Sequence, residues 1–215
     1  MTNAAAVVRT NDYREIVAGR RSVREYDPSV KISREEMTEL LEEATLAPSS
    51  VNLQPWRFVV VESEEAKAAL AEIAPRNRTQ VITSAAVIAV FGDMQAFDYA
   101  GDIMASSVAK GYMTQEVMDQ MLANYGALFG SVPKEAFRDM ILLDTGLVSM
   151  QIMLAARARG YDTNPIGGYD KSRAAETFGL EADRYVPSML ISIGKAAKDA
   201  RLTTRLPIDR VAEWK

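Results

Sequence analysis

The feature that most restricts this chain of 215 residues is the stretch from Lys134 to Arg159. Phe137, Ile141, Leu142, Thr145, Val148, Ile152, Leu154 and Ala155 recur there at helical spacing, and Gly160 supplies a left-handed stop. A helix this long, with so many apolar positions, is expected to be the central buried one. The rest of the fold has to be arranged around it.

The patterns around it are shorter. Arg57 to Glu62 (RFVVVE) reads as a strand rich in β-branched residues, and Ser188 to Ile193 (SMLISI) as another. Ala85 to Phe91 (AAVIAVF) is apolar throughout, which marks a strand buried on both faces. Helices are expected at Tyr13 to Gly19, after Ser63, and at Asp170 to Phe178 with Gly179 as its stop. Ser33-Arg34-Glu35-Glu36 is a capping box, Ser33 accepting from an amide and Glu36 reaching back. Met37, Leu40, Leu41 and Ala44 follow on one face, and Pro48 closes that helix. Residues 94–133 are helical by propensity and broken at Gly111 and around Gly130-Ser131-Val132-Pro133. They form a helical excursion, read either as surface decoration or as a lid over a pocket. Together these predict an α+β fold over residues 1–215, one domain with a small central sheet wrapped by long helices.

Composition narrows the chemistry. The chain has no Cys and no His. That excludes disulfides, thiolate nucleophiles, Cys metal sites and the Ser-His-Asp triad, and removes the usual base near neutral pH. Carboxylate, Lys, Tyr and Ser/Thr chemistry, an oxygen-ligated metal, or an organic cofactor that carries the reactivity remain, and a binding protein fits the same count. No metal site is indicated. A net charge of -4 gives no general attraction to nucleic acid or an anionic membrane. The longest uninterrupted apolar run, Ala85 to Gly92, is too short to cross a membrane, and Met1 to Val8 lacks the basic start of a signal peptide. A cytoplasmic location is the default expectation.

No G-x-G-x-x-G follows a strand and no G-x-x-x-x-G-K-[ST] is present, so a phosphate-bearing cofactor needs another anchor. Arg20-Arg21-Ser22-Val23-Arg24 is one candidate. In an extended segment Arg20, Ser22 and Arg24 share a face and suit an anion, although a solvated basic turn would look the same. Pro48-Ser49-Ser50-Val51-Asn52-Leu53-Gln54-Pro55-Trp56 concentrates amides and hydroxyls in one loop, suited to a flat heterocycle or to a structural linker. Asn164-Pro165-Ile166-Gly167-Gly168-Tyr169 offers bare backbone N–H groups or a simple turn. Arg205-Leu206-Pro207 sits in the tail, where an Arg is usually solvated.

Taken in order, R-R-S-x-R, P-S-S-x-N-x-Q-P-W-x-F, P-x-G-G and R-L-P resemble the FMN-dependent nitroreductase family, from about Tyr13 to Pro207. The resemblance implies a homodimer formed through the long helix, with two FMN sites at the subunit interface. It implies that Arg20 and Ser22 anchor the phosphate with Arg21 close by, that Arg24 lies beside flavin N1 and O2, and that Arg205 returns to the phosphate. Asn77 resembles the residue that bonds the pyrimidine ring, and Gln80 stands where some relatives carry Lys. Pro165, Ile166, Gly167 and Gly168 would line the ring edge, with the Gly167 amide facing N5 and no catalytic side chain required. Pro48, Ser49, Ser50 and Asn52 would come from the other subunit. Gly167 replaces an acidic residue of some relatives, and Thr203 replaces a phosphate-binding Lys. The implied activity is hydride transfer from NADH or NADPH through FMN to a small electron-poor acceptor, a nitroaromatic or quinone, by ping-pong kinetics. A flavin store without turnover, a specialised dehydrogenase and a flavin-fragmenting enzyme are the alternatives.

Overall fold

Two long hydrophobic layers sandwich a four-stranded sheet. The computed structural model describes residues 9–215, so the Met1 to Val8 stretch considered for a leader lies outside the described residues. The strands are β1 (Trp56–Val61), β2 (Ala86–Asp93), β3 (Asp162–Ile166) and β4 (Tyr185–Gly194). They pair antiparallel in the order β1-β2-β4-β3. The helices are α1 (Tyr13–Gly19), α2 (Arg34–Ala44), α3 (Glu64–Ile73), α4 (Arg78–Thr83), α5 (Ala100–Ala109), α6 (Gln115–Ser131), α7 (Lys134–Ala158) and α8 (Lys171–Thr177).

The continuous apolar run of β2 follows from its central place. Ile88 and Val90 join Ile191, Ile193, Leu40, Val148 and Ile152 on the α2/α7 side. Val87, Ala89 and Phe91 join Leu70, Ile73, Val81 and Leu190 on the α3/α4/α8 side. Every residue of β2 is buried, as alternation between two covered faces requires.

Several boundaries differ from the sequence patterns. α2 ends at Ala44 rather than at Pro48. Ser33 Oγ accepts from the Glu36 amide (3.1 Å), but the Glu36 carboxylate turns away from the cap. It accepts instead from Tyr161 (2.8 Å) and Arg9 (3.1 Å), fastening α2 to the turn after α7. β3 has no alternating apolar signature because Pro165 interrupts it, and it survives because it is the outer strand of the sheet. The 94–133 segment forms α5 and α6, with Gly111 in the left-handed region (φ 72°) between them.

α7 is only half the buried element that its pattern suggests. Ile141, Val148 and Ile152 face the sheet, while Leu143 (67% exposed), Leu147 and Met150 form an exposed stripe with Gly146. Over its most apolar stretch, with mean hydropathy 1.4, α7 is long and apolar enough to cross a membrane by length and composition. Asp144, Thr145 and Ser149 interrupt its apolar residues, and its packing on the sheet and α2 makes it a core helix. The sheet and α7 meet closely at Gly92, where a Cβ would lie 2.2 Å from the Cγ2 of fully buried Ile141. Gly92→Ala is therefore expected to lower stability by about 1–3 kcal/mol through overpacking, read from chemical denaturation midpoints. An unchanged midpoint would show that α7 can shift away freely.

Candidate functional site

The basic segment leaves the C-terminus of α1 in extended conformation and is stitched to β3. Ser22 bridges Thr163 in parallel, and the Val23 amide donates to the Thr163 carbonyl (3.1 Å). This places residues 20–24 alongside the strand that leads into Pro165–Gly168. Ser22 and Arg24 line one cavity of 240 Å³ together with Arg201, Asp199 and the Lys198–Glu25 ion pair (2.7 Å). Arg21 is turned elsewhere: its guanidinium donates to the Ala18 and Arg20 carbonyls and caps α1.

Arg20 carries the clearest electrostatic signature. Burial lowers its guanidinium from the ordinary value, and the charges of Arg205 and Arg21 push the same way. The tail thus brings Arg205 close enough to repel Arg20. Among the described residues, none of Arg20, Arg21, Arg24 and Arg205 has a carboxylate at ion-pair distance. Arg205 donates only to Thr203 and the Thr204 carbonyl. Arg20 is half-buried while Arg24 and Arg205 are exposed, and like charges gathered without an ion-paired carboxylate are an arrangement that an anion stabilises.

A second cluster gathers residues far apart in sequence. Asn77 Nδ2 donates to the Gly168 carbonyl (2.8 Å), and Gln80 Nε2 donates to Asn77 Oδ1 (3.1 Å). Gly167 and Gly168 are exposed, and a Cβ on Gly167 would meet no protein atom within 4 Å. Neither the packing nor a positive φ requires glycine at Gly167. A bare backbone edge beside two ordered amides suits hydrogen bonding to the rim of a flat heterocycle.

The loop at 48–56 is held in a strained shape. Val51 (φ 45°), Asn52 (φ 58°) and Gln54 (φ 49°) all lie in the left-handed region, which Asn tolerates but which costs roughly 1–3 kcal/mol at Val51 and at Gln54. Ser49 Oγ accepts from the Gln54 amide (3.0 Å). The Ser50 amide donates to both oxygens of the Asp144 carboxylate (3.1 and 3.0 Å), and its hydroxyl donates to Oδ1 (3.2 Å). Both donors of Ser50 therefore face α7, leaving Pro48 and Asn52 exposed. Val51 and Leu53 pack on Phe97, Leu122 and Phe129, so the excursion grips this loop.

Asp144 carries no motif of its own. Its signal is a carboxylate between Ile141 and Val148 on the buried face of α7, where a polar residue is the informative exception. It is 2% exposed, and burial pushes its carboxyl up while the Ser50 bonds pull it down.

Within one chain the two halves of the candidate site do not meet. α1 ends against Arg157 near the C-terminus of α7, whereas the loop is fixed at Asp144. At 1.5 Å per residue those anchor points lie about 20 Å apart along the helix. A cavity of 530 Å³ between Met94, Phe97, Phe129, Phe137, Lys134 and Asp183 shares no residue with either half.

A model of the nitroreductase family matches residues 17–195. The chain belongs to the nitroreductase family. YdgI of Bacillus subtilis, named as an NAD(P)H nitroreductase, is 61% identical over 209 residues, covering 97% of this chain and all of the relative. The CLA biosynthesis enone reductase of Lactiplantibacillus plantarum is 38% identical, with 95% of each chain covered. Among solved structures, a nitroreductase from Exiguobacterium sibiricum in complex with FMN superposes with a TM-score of 0.95 at 59% identity, covering 97% of this chain and 100% of that one. In this nitroreductase-family chain the four motif segments lie on the α1–α2 connection, the α2–β1 loop, the end of β3 and the C-terminal tail.

Proposed function

We propose that the chain is an FMN-dependent NAD(P)H oxidoreductase acting as a homodimer, passing electrons to a small electron-poor acceptor by ping-pong kinetics. The observation that carries it is the basic segment 20–24, fastened through Ser22 and Val23 to the strand that leads into the amide-lined backbone edge at Gly167 and Gly168. FMN presents a phosphate to the first and a heterocycle to the second, and the FMN complex of a 59% identical structure supports the same reading. When bound, FMN supplies the hydride chemistry that a chain without Cys or His lacks.

Each residue then has a defined task. Arg20 and Arg205 hold the phosphate, with Ser22 donating beside them. Arg24 keeps a fixed positive charge near N1 and O2, where reduction places negative charge. Asn77, oriented by Gln80, reads the pyrimidine edge. Pro165, Ile166, Gly167 and Gly168 follow the ring with backbone groups, the Gly167 N–H toward N5. Pro48, Ser49 and Asn52 reach this ring from a second copy, with Ser50 behind them. The exposed α7 stripe supports that second copy, since a contiguous apolar face marks an interface and Gly146 allows close helix approach. Leu202, Leu206, Ile208 and Trp214 (89% exposed) are further exposed apolar side chains on the tail. A cytoplasmic place, where NADH and NADPH are at hand, accords with this use.

The reading is tested by identifying the flavin released on denaturation, then titrating the holoprotein anaerobically with NADH and NADPH. One FMN per chain, bleached by at least one nicotinamide and reoxidised by a quinone or nitroaromatic, is expected. Conjugated enones belong in the acceptor panel because of the enone reductase relative. FAD in place of FMN overturns the cofactor. Flavin that stays oxidised under excess of both nicotinamides makes the protein a flavin store.

A further inference from the structure

We propose that Asp144 is a positioning residue for the cofactor, holding the 48–54 loop in the strained shape that presents Ser49 and Asn52 to the flavin. This rests on the reading that the loop faces the flavin of the second copy. A buried carboxylate with no cation partner is costly, and no ion pair to Asp144 exists among the described residues. Its hydrogen-bond partners among the described residues are the Ser50 amide and hydroxyl. Those bonds fix the entry to a turn in which the Asn52 amide donates to Ser49 O (3.0 Å) and the Leu53 amide to Ser50 O (3.1 Å). Val51, Asn52 and Gln54 then follow with positive φ. Asn52 adopts that conformation readily, but Val51 and Gln54 keep it only where their surroundings over-determine it. Apolar packing on Phe97 and Phe129 grips one side of the loop, and Asp144 grips the other. Strain held by a buried carboxylate brings the fold itself no evident gain; it gives an aimed loop.

The test reads flavin binding, not turnover. Apoprotein of wild type, Asp144→Ala, Asp144→Asn and Asn52→Ala is titrated with FMN and with riboflavin by flavin fluorescence. Because the loop is assigned to the ring, Asp144→Ala should weaken both flavins alike, by about 10- to 100-fold, the loss of more than one hydrogen bond to a charged group. Asp144→Asn can still accept from the Ser50 amide and should stay within about threefold of wild type. A rescue of this kind separates aiming from bulk packing. Wild-type binding of both flavins by Asp144→Ala overturns the proposal, as does a loss confined to FMN. If Asn52→Ala binds both flavins normally, the loop does not face the flavin and the underlying reading fails too. If Asn52→Ala weakens them while Asp144→Ala does not, only the positioning role fails. Should Asp144→Ala not fold, Ser50→Ala, which removes one of the three bonds, takes its place. A loss of about 3- to 10-fold for both flavins is then expected, and no loss overturns the proposal.

Discussion

Arg20→Ala is expected to weaken FMN binding by about 10- to 150-fold while leaving riboflavin within about threefold of wild type. Arg20 is half-buried against Arg205 and Arg21 with no carboxylate at hand, so its charge is available to an anion. Removing one side of a charged hydrogen bond costs about 1.5–3 kcal/mol, which gives that range of dissociation constants. Riboflavin has the same ring and ribityl chain without the phosphate, so it isolates the part assigned to Arg20. Fluorescence titration of the apoprotein with both ligands reads the difference. An equal loss of both would mean that Arg20 acts through the fold, for instance by disturbing the cap at the end of α1.

Much of the scaffold was legible because burial leaves a periodic trace. β2 is read from its unbroken apolar run, and the structure gives the reason in two hydrophobic clusters that share the strand between them. β3 is not readable this way, since Thr163, Asn164 and Pro165 carry neither alternation nor β-branched density; its position at the sheet edge makes the proline tolerable. α7 is found by period but misjudged in burial. Periodicity reports an apolar face, not whether the same chain covers it, and Leu143, Leu147 and Met150 are apolar yet exposed.

The candidate site divides along similar lines. Residue types alone pick out Arg20 to Arg24, the 48–56 loop and Gly167-Gly168, because amides, guanidinium groups and bare backbone are what a phosphorylated heterocycle needs. Joining Asn77 to Gly168 takes the fold, as 91 residues separate them. Arg21 belongs to the same basic run, yet its guanidinium is directed to the α1 carbonyls. The left-handed backbone at Val51, Asn52 and Gln54 could not be read either. Asn52 tolerates it, but the side chains of Val51 and Gln54 do not favour it, and there it is imposed by tertiary contacts to Asp144 and the excursion.

The central claim is that each flavin site is built from two chains, and mixed dimers test it most directly. Arg20→Glu places a repelling charge at the phosphate, and Ser49→Trp blocks the loop at an extended position (φ -143°) that accepts a large side chain. Each variant should be nearly inactive as a homodimer, with NAD(P)H-dependent quinone reduction as the assay. In a mixed dimer the two lesions fall in the same site and leave the other site intact, by the symmetry of a two-fold interface. Co-refolding the variants and isolating tagged mixed dimers should restore up to about half the native activity per dimer. Verified mixed dimers that are folded and still inactive would contradict the account, because every site would then hold its own lesion and belong to a single chain.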